Sequence, residues 1–137
     1  MIKYEGDIIN NKIEGNGKYI WENGEYYIGQ FLYCKKHGKG IEYYKNGSIK
    51  YEGDFENNVY KGNGKYILEN GQYYIGQWLN GKKHGKGIKY YKNGSIKYEG
   101  DFVNDVYEGI WKYIEEKGGY FIGPFLDGTK FGKGIEY

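Results

Sequence analysis

The residues best placed to do chemistry are one cysteine and two histidines in near-identical surroundings. They are Cys34, then Lys35-Lys36-His37-Gly38 and Lys82-Lys83-His84-Gly85. Imidazoles repeated this regularly could ligate a metal, but zinc would need further Cys or His partners that the neighbouring sequence does not supply. The corresponding place in the last unit of the repeat described below is Phe131, and a ring exchanged for an imidazole marks packing. No metal site is expected. Cys34 has neither a histidine beside it in its loop nor a helix start to activate it, so it reads as an unactivated loop thiol. The Gly-x-Gly steps open strands and lack the helix N-terminus that makes a phosphate loop. Acidic residues recur with the repeat, so none is singled out for acid–base work. The chain reads as non-catalytic, with no cofactor.

Lysine is the remaining chemical candidate. Glu5 and Asp7, Glu52 and Asp54, and Glu99 and Asp101 alternate along the chain with Lys35, Lys36 and Lys39, then Lys82, Lys83 and Lys86, then Lys130 and Lys133. The expected result is a sheet banded acidic and basic. Such bands keep a long sheet soluble and its edges unattractive to other strands. They also suit an acidic protein or anionic lipid heads, with ~1 kcal/mol per Lys near a charged membrane. Nucleic acid is not an expected partner: the net charge is +2 and the chain has no Arg, the residue that contacts phosphate and guanine bidentately. One Cys forms no internal disulfide, no run reaches the roughly 18 apolar residues of a membrane span, and Met1-Ile2-Lys3-Tyr4 begins no signal peptide. The expected address is cytoplasmic.

What positions these groups is a repeat. Tyr-x-Gly stands at Tyr4, Tyr27, Tyr51, Tyr74 and Tyr98, and recurs with Phe121, at spacings of 23, 24, 23, 24 and 23 residues. Nine residues after each triplet glycine come Gly15, Gly38, Gly62, Gly85, Gly109 and Gly132, and the turn glycines Gly24, Gly47, Gly71, Gly94 and Gly118 follow. The alternation arises after the turn glycine, where one added residue predicts a change of turn or a bulge. The true period is therefore a pair of units, 47 residues long. The approximate units are 4–26, 27–50, 51–73, 74–97, 98–120 and the shorter 121–137.

With 25 Gly, 19 Tyr and no Ala, the composition disfavours helix and suits half-buried strands. In Tyr51-Glu52-Gly53-Asp54-Phe55 a period of two puts Tyr51, Gly53 and Phe55 on one face. A mid-strand glycine weakens a sheet unless something needs its space, and a ring from a neighbouring strand is the expected occupant. Asn-Gly between the runs predicts tight hairpin turns with both residues at positive φ. The fold class expected is all-β: an elongated, single-layer antiparallel meander of repeated hairpins.

Tyr74-Ile75-Gly76-Gln77-Trp78, Gly81-Lys82-Lys83-His84-Gly85-Lys86-Gly87 and Tyr90-Tyr91-Lys92-Asn93-Gly94 together resemble the MORN (membrane occupation and recognition nexus) repeat family. The resemblance covers essentially the whole chain. It implies one hairpin per repeat, a rod-like sheet with an aromatic groove, and a scaffold at cytoskeletal, ciliary or membrane-contact structures. Departures are Gly109-Ile110-Trp111 in place of Gly-x-Gly and Pro124 in place of Gln30 and Gln77. Either the fifth unit closes the stack or Trp111 fills its groove.

Because a single-layer sheet has no second layer, some rings are expected to stay partly exposed and mark an interaction surface. Tyr27, Phe31, Tyr51, Phe55, Tyr74, Trp78, Tyr98 and Phe102 are the expected groove residues, holding a helix or extended peptide of a protein partner. Binding of anionic lipid or phosphoinositide head groups through the lysines is the alternative, and an accessory region of a larger enzyme is another. Self-association, as a homodimer or end to end, is also open to such an array. The chain stops at Tyr137 in mid-unit, which leaves open whether it is a whole protein or a fragment.

Overall fold

The structure, a computed structural model, describes residues 3–126, 129–130 and 135–136, with side chains for residues 3–124. Every regular element in them is a strand. The first pair of units carries β1 (Lys3–Ile9), β2 (Lys12–Ile20), β3 (Tyr26–Leu32) and β4 (Lys35–Tyr43). The second carries β5 (Ile49–Glu56), β6 (Val59–Ile67), β7 (Tyr73–Leu79) and β8 (Lys82–Tyr90). Then come β9 (Ile96–Val103), β10 (Val106–Ile114), β11 (Tyr120–Leu126), β12 (Thr129–Lys130) and β13 (Ile135–Glu136). They form one antiparallel sheet in chain order, with β13 returning to pair with β11. Strands pack mainly on their sequence neighbours, as connections too short for a crossover require.

Pairing register lines up the repeat glycines. Gly6 faces Gly17, Gly17 faces Gly29, and the ladder continues through Gly40, Gly53, Gly64, Gly76 and Gly87 to Gly100. A bare strip of backbone therefore crosses the sheet from β1 to β9, and tyrosine rings lie in it. Tyr27 covers Gly29 and Gly40, Tyr51 covers Gly53 and Gly64, and Tyr74 covers Gly76 and Gly87. Each phenol donates to the carbonyl three residues ahead: Tyr4 to Asp7 at 2.8 Å, Tyr27 to Gln30 at 2.8 Å, Tyr51 to Asp54 at 2.9 Å and Tyr74 to Gln77 at 3.0 Å. Space, not turn geometry, dictates these glycines. A Cβ built on Gly53 would stand 2.7 Å from the Tyr51 phenol oxygen and 2.6 Å from the Gly64 Cα.

A second row of rings closes over the first. Phe31, Phe55, Trp78 and Phe102 face Gly15, Gly38, Gly62 and Gly85 across the preceding strand. Because β4 contributes only glycines there, Phe55 leans across it to Tyr27, with centroids 5.1 Å apart and planes at 83°. Trp78 reaches Tyr51 in the same way at 5.7 Å, and Phe102 reaches Tyr74 at 5.2 Å. Strands two apart lie about 9.5 Å from each other, so only rings leaning over a bare strand can meet. Edge-to-face contacts of this kind add to the burial they accompany.

Two kinds of turn alternate. Asn10-Asn11, Tyr33-Cys34, Asn57-Asn58, Asn80-Gly81 and Asn104-Asp105 are two-residue turns with positive φ at both positions. The Asn-Gly turns at Gly24, Gly47, Gly71 and Gly94, where the sequence predicts that geometry, differ from it. There only the glycine turns left-handed, with φ of 90° at Gly24. The Gly24 N–H donates to the Trp21 carbonyl at 3.0 Å, the Trp21 N–H to the Glu25 carbonyl at 2.9 Å, and the Asn23 side chain accepts the Glu25 N–H at 2.9 Å. An Asn side chain that bonds its own turn leaves the left-handed position to Gly alone. The residue added in alternate units appears as a register shift at Glu42/Tyr43 and Lys89/Tyr90, whereas β2–β3 and β6–β7 run in step.

Candidate functional site

Tyr27, Phe31, Tyr51, Phe55, Tyr74, Trp78 and Phe102 are all 6 % exposed or less, which corrects the expectation that these particular rings line an accessible groove. The sheet needs no second layer to bury them, because glycines form their floor and the next row of rings their cover. Of the eight expected groove residues, only Tyr98 is half-buried. The half-buried rings packed against this core are others: Tyr4, Tyr19, Trp21, Tyr60, Tyr66, Tyr107 and Tyr113. Their signal was in the sequence. Tyr19 stands two residues after Gly17 and Tyr66 two after Gly64, which places them opposite Tyr27 and Tyr74 in register.

The fifth unit resolves as the second of its two alternatives. Trp111 is fully buried and lies over Gly100, where a Cβ would come 2.5 Å from its ring. Its indole N–H donates to the Glu108 carbonyl at 2.7 Å. Tyr98, displaced from the strip, stacks on Tyr107 with centroids 4.4 Å apart.

The lysines do not form simple bands. Lys35, Lys82 and Lys86 are exposed, and Lys39 pairs with Asp54 at 2.9 Å, so one unit's charge is met by the next unit's acid. Lys36 and Lys83 turn inward among the rings. Lys36 bonds Glu42 at 2.6 Å, with both side chains nearly buried, and lies 4.8 Å from the Trp21 centroid and 5.3 Å from that of Phe55. Glu42 also accepts the Tyr60 phenol, and burial together with the Glu42 charge pushes the Tyr60 hydroxyl far above its usual range. Lys130 belongs to β12 but its side chain lies outside the described residues, as does the whole of Lys133.

His37 and His84 sit half-buried on β4 and β8, too far apart in strand order to converge. Among the described residues no three His, Cys, Asp or Glu side chains gather as metal ligands. Two clefts flank Trp21. One of about 310 Å³ is lined by Tyr19, Trp21, Phe31, Cys34, Lys36 and Asn58. The other, of about 280 Å³, is lined by Trp21, Asn23, Glu25, Glu42, Tyr43 and Lys50.

A single open sheet of hairpins, with rings clamped over a glycine ladder, defines an all-β repeat array. The MORN repeat model matches residues 4–26, 27–49, 51–73, 74–96 and 98–110, and the chain belongs to that family. It is also similar to a protein named inactive protein tyrosine kinase pTKL from Plasmodium berghei (strain Anka), at 46% identity over 44 residues. The match covers 31% of this chain and 3% of that protein.

Proposed function

We propose that this chain is a non-catalytic scaffold that seats a helix or extended peptide of a protein partner on the ring-bearing face of its sheet. The observation that carries this reading is Trp21. It is a half-exposed indole standing between two clefts, backed by Tyr19 at 5.3 Å and by the Lys36 ammonium. Rigid aromatic anchors beside pockets are the usual centres of protein interfaces. The buried rings support the surface and do not meet the partner. Cytoplasmic residence, at a cytoskeletal, ciliary or membrane-contact structure, goes with this proposal. The match to a short part of a much longer kinase-like protein supports a second reading, in which such an array serves as an accessory region of a larger chain.

The test uses variants outside the fully buried rings, with unchanged unfolding of each variant as the check on its fold. Trp21→Ala is expected to abolish capture of a partner isolated with the wild-type chain, and Ile28→Ala, exposed on the opposite face, to leave it unchanged. Equal loss in both, or in neither, refutes the assignment of this face.

A further inference from the structure

The internal duplication supplies a comparison within one molecule. At an offset of 47 residues, Lys36 becomes Lys83 and Lys50 becomes Lys97, but Glu42 becomes Lys89 and Glu25 becomes Gln72. In the first pair of units each lysine has its own carboxylate: Lys36 with Glu42 at 2.6 Å and Lys50 with Glu25 at 3.0 Å. In the second pair both carboxylates are gone and a third lysine has arrived. Lys83, Lys89 and Lys97 together line one cleft of about 190 Å³, with Gln72, Tyr66, Tyr73, Tyr74 and Tyr90 among its other walls.

The partners left to these ammonium groups are neutral. Lys89 donates to the Tyr107 phenol oxygen at 3.0 Å and Lys97 to Gln72 Oε1 at 3.2 Å. The Lys83 ammonium lies 5.6 Å from the Tyr74 centroid and 5.8 Å from that of Phe102, and has no ion pair or hydrogen bond among the described residues. The acid acting on Lys83 and Lys89 is Asp105, where the first pair has Asn58; its carboxylate is tied to the Lys83 main-chain N–H at 2.7 Å. Three lysines against one aspartate leave an excess of two positive charges, whereas the first pair balances two lysines with two glutamates. Burial, with the mutual repulsion of the pair, pushes the Lys83 ammonium below its ordinary range, and burial does the same to Lys89. A half-buried excess of charge favours an anion from outside.

We infer that the cleft of Lys83, Lys89 and Lys97 is a binding site for a compact dianion, a phosphate monoester or inorganic phosphate. Phosphate carries about −1.5 to −2 at neutral pH and so matches the excess charge. It is a strong acceptor for several ammonium donors at once. The anion takes the place that the Glu42 carboxylate fills in the first pair, and this holds whether or not a protein partner sits on the same face.

The test titrates the full chain with inorganic phosphate at constant ionic strength while amide NMR signals are followed. Saturable shifts are expected around Lys83, Lys89, Lys97 and Tyr90. Lys89→Glu, which restores the arrangement of the first pair, should weaken binding at least ~10-fold, the factor that one charge-assisted hydrogen bond supplies. Gln72→Glu should weaken it in the same direction while leaving Lys89 in place, and no matching shifts are expected around Lys36 and Lys50, whose carboxylates are present. A parallel arm uses phosphatidylcholine vesicles containing phosphatidic acid: Lys89-dependent sedimentation identifies the source as a lipid head group, and phosphate binding without it identifies a soluble one. Shifts that instead follow the exposed Lys35, Lys82 and Lys86, or undiminished binding in both Lys89→Glu and Gln72→Glu, overturn the site.

Discussion

Gly64→Ala should be among the costliest single-methyl changes this chain can suffer. Gly64 has ordinary backbone angles, so the penalty is steric alone. A Cβ there would overlap the Tyr51 ring, meeting its Cε2 at 2.6 Å. Since Tyr51 is fully buried, edge-on to Phe55 and Trp78, and hydrogen-bonded to the Asp54 carbonyl, its ring has nowhere to retreat. Overpacking of this kind costs ~1–3 kcal/mol, and displacing the phenol from its carbonyl adds ~1 kcal/mol. Reduced freedom of the unfolded chain returns ~0.5 kcal/mol. The expected loss is therefore ~1.5–3.5 kcal/mol by urea denaturation. Gly109→Ala is the control: it has φ of 76° and, among the described residues, no atom within 4 Å of the Cβ position, so backbone strain of ~1–2 kcal/mol, less the same ~0.5 kcal/mol from the unfolded chain, is all that applies. In a Tyr51→Leu background, Gly64→Ala should lose much of its cost, because the narrower side chain vacates the strip. Equal costs for Gly64→Ala and Gly109→Ala, or additivity with Tyr51→Leu, would refute the view that these glycines exist to seat rings.

Other outcomes follow from the same geometry. Glu42→Gln removes the carboxylate from a nearly buried ammonium and should cost ~3–5 kcal/mol, whereas Lys39→Ala, whose side chain is 83% exposed in its pair with Asp54, should cost under ~1 kcal/mol in the same unfolding assay. Changing Tyr33-Cys34 to Asn-Gly, the residues of the equivalent turn at Asn80-Gly81, should stabilise the chain by ~1 kcal/mol, seen as a higher Tm, because both positions hold positive φ. The phenols of Tyr98 and Tyr107 are pushed up to about 12 by burial first and then by neighbouring phenols. A raised folded pKa stabilises the neutral form. That stabilisation is complete below pH 10.0 and is lost as pH climbs toward about 12. Tyrosinate absorbance and loss of strand signal should therefore rise together in that window, and full ionisation with the sheet intact would contradict the burial described.

The glycine ladder and its rings were legible because each rests on a strict spacing: Tyr51, Gly53 and Phe55 share a face by a period of two, and the units repeat that face. The bulge at Glu42/Tyr43 was legible as one extra residue. What escaped was set by contacts between strands not adjacent in the sheet. Nothing local to Phe55 shows that it leans over β4 onto Tyr27, so the depth of burial could not be read. The turn chemistry was also misassigned. Asn23 and Asn10 are equally able to turn left-handed, yet Asn10-Asn11 makes the tight turn while Asn23 accepts the Glu25 N–H and leaves the left-handed position to Gly24. Lys36 and Lys83 looked like members of a surface band because the rings that enclose them, Trp21 and Phe55 for Lys36 and Tyr74 and Phe102 for Lys83, come from other parts of the sheet.

The alternating register also sets the step in which such an array can lengthen. A segment of 47 residues starts and finishes at the same phase of the sheet, so removing residues 27–73 would deliver Tyr74 to the place that Tyr27 held against β2. Excising a lone unit would join two loops of unequal length out of phase and leave neighbouring side chains mismatched across the seam. An array of this kind therefore keeps its phase only when it lengthens or shortens by two units at a time, and two copies give Glu42 and Lys89 equivalent places with opposite charge.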